Sequence, residues 1–146
     1  MRRVGLGLAA VVAAASGMLA VTPSAYAATC SGDDCNGGDP YKTGCDHNNY
    51  NAAPTPVTVF GGKLELRWGP DRSTNWTQFT PANGDLYEIS VWREDNVWAG
   101  DGLYKGYRFS GAGIVHWSDQ IYSPWPAAAC VNDLTTYQHY CAEQTS

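Results

Sequence analysis

The chain has 146 residues, a formal charge of −5 and an aromatic content of 12%. An acidic balance on one domain's worth of chain repels polyanions, so it excludes nonspecific nucleic-acid binding and attachment to an anionic membrane surface. No apolar run reaches the roughly 20 residues of a spanning helix, so no membrane anchor is expected.

The first element is an export leader. Met1-Arg2-Arg3 is basic, Val4 to Ala15 is apolar, and Ala25-Tyr26-Ala27 supplies small residues at the −3 and −1 positions of a signal-peptidase site. Residues 1–27 are therefore expected to be removed, leaving a secreted, extracellular chain. Loss of Arg2 and Arg3 takes the charge from −5 to −7. All five cysteines, Cys30, Cys35, Cys45, Cys130 and Cys141, follow the leader. In an exported chain this reads as disulfide chemistry, and the odd count leaves one thiol outside the intramolecular pairs. Cys30 is expected to pair with Cys35 across a Gly-Asp-Asp loop that can turn tightly. Cys130 is expected to pair with Cys45, which would tie the two ends of the domain, with Cys130–Cys141 as the alternative.

Residues 28–56 read as a cysteine-rich, coil-like arm, since Gly, Asp, Asn and Pro dominate and no apolar period persists. The arm and residues 57–146 are expected to form one domain. From Val57 the pattern turns to strands. Val57 to Phe60 and Lys63 to Trp68 flank Gly61-Gly62, predicting a hairpin with Leu64, Leu66 and Trp68 on one face. Further strand runs are Asp85 to Trp92, Leu103 to Phe109, Gly113 to Trp117 and Leu134 to Cys141, separated by Gly- and Asn-rich turns. No helical period of ten residues follows the leader. The fold class predicted is all-β, a small barrel or sandwich with a disulfide-tied N-terminal arm.

The motif Cys30-x-Gly32-x-x-Cys35-x-Gly37-x-Asp39-Pro40-x-x-x-Gly44-Cys45, followed by Leu64-Glu65-Leu66-Arg67-Trp68 and Trp76, resembles the YjfA-like family of secreted, mostly actinobacterial proteins of unknown function. The similarity extends to Trp117-Ser118 and Ala129-Cys130, and its specific part is residues 30–76. Members carry a further cysteine shortly after the Glu-Leu-Arg strand. Here that position is Arg72, and Cys141 is additional. The resemblance implies localisation and architecture and no activity.

Five constellations invite chemistry. Cys30, Cys35, Cys45 and His47 contain zinc-ligand types, but four and nine intervening residues do not make the close cysteine pairs of a knuckle, so disulfides are favoured and no metal is expected. Asp33, Asp34, Asn36 and Asp39 offer hard oxygens, yet a calcium loop started at Asp34 has Gly38 at position five and Cys45 at position twelve. Turn formation explains them better. His116-Trp117-Ser118-Asp119 holds the letters of a hydrolase triad, but adjacency cannot supply its geometry. His47 and His139, among polar neighbours, are expected to be exposed.

Glu65, Glu88, Glu94, Asp95 and Asp101 could pair across a cleft as glycosidase acids do, although Glu65 with Arg67 reads more simply as a surface charge pair. Among the tryptophans, Trp92 and Trp117 are expected to pack inside, while Trp98 in a Gly- and acid-rich turn and Trp125 between two prolines are expected to bind ligand. The function expected is therefore a noncatalytic, secreted module without cofactor that contacts an extracellular protein or a cell-wall glycan. A small hydrolase using paired carboxylates and an extracellular inhibitor or structural protein are the alternatives.

Overall fold

The computed structural model describes residues 28–93 and 107–144. The expected leader, Trp98, Glu94, Asp95, Asp101 and the start of the Leu103 run lie outside the described residues. The described chain builds two antiparallel sheets. In the first, β1 (Tyr50–Asn51) and β2 (Val57–Val59) both pair with β3 (Gly62–Gly69). Strand β3 pairs with β4 (Thr74–Thr80). In the second, the order β10-β9-β5-β6 is formed by Gln138–Glu143, Ala127–Asp133, Tyr87–Arg93 and Tyr107–Phe109. The short strands β7 (His116–Trp117) and β8 (Ile121–Tyr122) complete the first sheet along β4.

The architecture is a sandwich. Leu64, Leu66 and Phe79 from the first sheet meet Tyr87, Ile89, Val91, Ala129 and Val131 from the second in one buried cluster. The rings of Phe79 and Tyr87 cross edge-on with centroids 5.0 Å apart, a favoured aromatic geometry. All these residues obey the two-residue alternation of their strands.

The predicted hairpin is present, with its turn shifted by one residue. Val59 faces Gly62, so the two-residue loop is Phe60-Gly61, both at positive φ (50° and 73°), as the tight right-twisting hairpin turn demands. Gly62 is required for another reason: a Cβ there would lie 2.5 Å from Phe79 Cζ. The Leu134 run behaves similarly. Its first residues form the turn, and the strand starts at Gln138. Asp133 fixes that turn by accepting hydrogen bonds from Thr135 N (2.9 Å) and Thr136 N (3.0 Å).

The arm is not a free coil. A 3₁₀ turn spans Gly32–Cys35, and one helical turn, α1 (Pro40–Thr43), follows. Asp39 caps α1 through Tyr41 N, Pro40 opens it and Gly44 closes it at φ 73°, the usual Pro-in, Gly-out order. Gly37 N donates to Gln120 O and Gln120 N donates to Gly38 O, both at 2.9 Å, so the arm docks along the chain just before β8. It thereby covers the outward face of the first sheet. Trp76, which the alternation points outward, has no exposed surface and stands edge-on to Tyr41 with centroids 6.3 Å apart. Gly69 permits the approach, since a Cβ there would lie 2.4 Å from the Cys45 carbonyl oxygen.

Cys30 pairs with Cys35, and Cys130 pairs with Cys141. Cys45 is a free, buried thiol. The expected Cys45–Cys130 link is therefore corrected. Antiparallel register sets Cys141 directly opposite Cys130, with Cα atoms 4.1 Å apart, whereas Cys45 is held in the arm with its Sγ 3.5 Å from Cys30 Sγ. A bond between adjacent strands wins over a bond across the molecule.

Candidate functional site

Trp125, one of the two expected ligand-binding residues, stands on the loop between β8 and β9 with 52% of its surface exposed. Pro124 and Pro126 stiffen that loop by fixing φ. Ser123 anchors it, its N–H donating to Ser73 O (2.8 Å) and its hydroxyl to Trp125 O (2.5 Å). The Arg93 guanidinium lies 5.4 Å from the Trp125 ring centroid, within cation–π range. Arg93 is itself held by Tyr122 O (2.8 Å) and Asp33 (3.6 Å).

Tyr50 and Trp68 line the same groove as Trp125, which has a volume of about 410 Å³. They are cross-strand partners of β1 and β3, so both rings emerge on one face. Tyr50 is 54% exposed, while Trp68 leans on the core. Three aromatic rings on a stiff scaffold, with the Gln144 side chain beside them, can stack planar apolar faces while leaving hydroxyls in water.

A second aromatic patch corrects the expectation that Trp117 packs inside. It is 40% exposed, beside Ile114 and Val115. Of the expected Gly113–Trp117 strand only His116–Trp117 pairs, as β7, and Val115 and Trp117 are both exposed. Phe79 faces His116 across β4 and β7, and Gln78 faces Trp117. His116 therefore takes the core side, stacked on Phe109 with centroids 3.9 Å apart, and Trp117 meets Tyr41 at 4.8 Å. Burial pushes the Asp119 carboxyl above the usual carboxylate range, with the Asp39 charge adding to it, and burial holds His116 below the usual imidazole value. Trp92 is only half-buried, on the outward side of β5, its indole donating to Ser90 Oγ (3.1 Å).

The remaining constellations resolve into structural roles. Asn36 donates to Asp33 (3.2 Å) and Asp39 caps α1, so the acidic loop residues serve turns. Ser118 accepts from Thr77 N (3.0 Å) and donates to Asp119 O (2.8 Å), which ties its hydroxyl to backbone rather than to His116. Glu65 is clamped by Lys63 (3.0 Å), Arg67 (3.7 Å) and Asn51 (3.1 Å). Glu88 pairs with Arg108 at 2.8 Å. These two acids lie on the outward faces of opposite sheets, so they do not form a two-acid cleft.

One arrangement escaped the sequence reading. His139 is exposed, as expected, but its Nε2 lies 3.2 Å from Cys141 Sγ and its Nδ1 lies 2.5 Å from Asn132 Oδ1. Cys130, His139 and Cys141 line a cavity of about 360 Å³ on the outward face of the second sheet. The sulfurs of Cys130 and Cys141 stand close enough to a ring nitrogen of His139 to share an ion, as do the three sulfurs of Cys30, Cys35 and Cys45 among themselves. In both clusters two of the sulfurs are bonded to each other and so are not thiolate ligands.

The chain matches no family model, no curated protein and no solved structure. Among the described residues, no helix is long and apolar enough to cross a membrane.

Proposed function

We propose that this chain is an exported module that binds a cell-wall glycan by contact, in the groove of Tyr50, Trp68 and Trp125. The observation that carries this reading is the convergence of the three rings, two of them more than half exposed, on one open groove. Sugar rings present apolar C–H faces that stack on such platforms, whereas an unliganded surface has no reason to gather them. Two disulfides fit an oxidising compartment. The resemblance of residues 30–76 to secreted YjfA-like proteins agrees with export.

The test is retention on insoluble cell-wall polysaccharide, measured as a binding isotherm. Trp125→Ala and Tyr50→Ala should each weaken binding about ten-fold, the loss of one stacking contact of roughly 1–1.5 kcal/mol. Tyr137→Ala is the control, because Tyr137 is 91% exposed on the turn before β10 and lines no part of the groove. Equal retention of Trp125→Ala and wild type would end this reading. Retention lost only upon protease treatment of the wall preparation would assign the groove to a protein ligand instead.

A further inference from the structure

We propose that the Cys130–Cys141 disulfide is a thiol–disulfide exchange site for exported dithiols, with Cys141 as the sulfur attacked and His139 as the residue that carries the proton. This site shares none of Tyr50, Trp68 and Trp125 with the glycan groove.

Arg108, Glu88, Asn132 and His139 are successive cross-strand partners over β6, β5, β9 and β10, so their side chains form one row on the outward face of the second sheet. The row is connected. Arg108 Nε donates to Glu88 (2.8 Å), Asn132 Nδ2 donates to Glu88 (3.5 Å), and Asn132 Oδ1 accepts from His139 Nδ1 (2.5 Å). An amide oxygen only accepts, so Nδ1 carries the proton and the neutral ring turns its Nε2 lone pair toward Cys141 Sγ at 3.2 Å. Two residues along each strand, in the next row on that face, stand Cys130 and Cys141.

Access selects the sulfur. Cys130 is 1% exposed, while Cys141 is only partly covered and opens on the cavity of about 360 Å³. His139 Nε2 takes the proton of one thiol of the dithiol, the resulting thiolate attacks Cys141 Sγ, the Cys130–Cys141 bond breaks, and a mixed disulfide forms on Cys141. The electron pair leaves with Cys130, whose Sγ lies within 4.8 Å of a His139 nitrogen, and Nε2 passes that proton on to it, which returns the ring to neutral. The second thiol gives its proton to Nε2, attacks the substrate sulfur of the mixed disulfide and expels Cys141 as a thiolate beside the imidazolium so formed. The dithiol ends as a disulfide, oxidised by two electrons, and Cys130 and Cys141 end reduced. A disulfide of the same class reverses every step.

An imidazolium in contact acidifies a thiol, which both improves it as a leaving group and supplies thiolate near neutral pH. The other bridge also joins a buried sulfur, Cys35, to a partly covered one, Cys30, and differs in its neighbours: Cys30 Sγ stands 3.5 Å from the chain's own Cys45 thiol and 3.5 Å from the Gln120 amide nitrogen.

The experiment treats the native oxidised protein with limiting dithiothreitol, traps thiols with N-ethylmaleimide and maps the peptides. Label is expected on Cys130 and Cys141 before Cys30 and Cys35. With glutathione as a monothiol probe, the mixed disulfide should sit on Cys141. His139→Gln should slow alkylation of reduced Cys141 at pH 7 by about three-fold, because the gain in thiolate is partly offset by lower intrinsic nucleophilicity. The midpoint of the rate–pH profile should move to higher pH in that variant. Glu143 on β10, Glu88 and Arg93 on β5 and Arg108 on β6 also face this region, so Glu143→Gln serves as the electrostatic control and should move it far less. Opening of Cys30–Cys35 with Cys130–Cys141 intact, or a profile unchanged in His139→Gln, would overturn the proposal. Tight zinc binding by the reduced protein without exchange would overturn it in favour of a metal site.

Discussion

Replacing Trp76 by Ala distinguishes a tryptophan that builds this fold from one that serves its surface. Trp76 has no exposed surface. Its ring lies between the outward side of β4 and the arm, with Tyr41 edge-on and the Gly69 backbone close enough that a Cβ would lie 3.3 Å from Cζ3. Removing it takes away the wedge on which residues 28–49 rest and leaves a cavity that close packing cannot refill. Such truncations cost about 3–5 kcal/mol. At roughly 4 °C per kcal/mol for a domain of this size, the melting midpoint should fall by about 15 °C. Trp125→Ala removes a half-exposed ring and one cation–π contact of about 0.5–1 kcal/mol, so it should move the midpoint by only a few degrees. Thermal melts by circular dichroism, run under oxidising conditions, compare the two. A Trp76→Ala melt within a few degrees of wild type would refute the arm as part of the packed structure. A single lowered transition, rather than an early loss of the arm followed by an unchanged melt, would establish arm and sandwich as one cooperative unit.

Two further outcomes follow from single contacts. Gly69→Ala must displace the Cys45 carbonyl, which its Cβ would approach to 2.4 Å; a loss of about 1–3 kcal/mol and faster labelling of Cys45 by a thiol reagent are expected, and unchanged labelling would contradict the tight seat of the arm. Burial pushes the Asp133 carboxyl up, but hydrogen bonds from Thr136 and Thr135 outweigh it and hold the group below the usual range, so its stabilisation is whole above the unfolded carboxylate value near pH 4 and is lost as pH falls below it. Asp133→Asn should therefore melt lower than wild type at pH 7 and show a shallower fall as the pH drops below about 4, whereas parallel pH curves would refute the assignment.

The strands legible in the sequence are those that alternate charged or polar residues against apolar ones. β3 alternates Lys63, Glu65 and Arg67 against Leu64, Leu66 and Trp68, and β5 alternates in the same way, so both were readable. β4 was not, although it is central to its sheet. The arm covers its outward face, all but its last residue are buried, and Thr-Asn-Trp-Thr-Gln-Phe-Thr carries no apolar alternation. β9 was missed for its alanines, which have weak strand preference but leave room for the large core residues of β5. Trp117 shows a subtler failure. Alternation gives which residues share a face, and only the partner strand, through Phe79 opposite His116, decides which face is wet.

The site divides along the same physical line. Trp125 was readable because two prolines around an aromatic residue report a stiff, exposed loop from local sequence alone. Tyr50 and Trp68 could not be joined to it, since they meet only through the β1–β3 register. The His139–Cys141 contact is encoded more deeply. A histidine two residues from a cysteine on a strand shares its face, which the sequence does contain. What turns this proximity into chemistry is non-local: Asn132 fixes the tautomer only because β9 and β10 pair in the register that also places Cys141 opposite Cys130. A slip of one residue would send His139 to the core side and separate the cysteines. The disulfide therefore both locks the register and depends on it. If the proposed exchange opens that bond, the row from Arg108 to His139 is what remains to hold β10 in place while the thiols react.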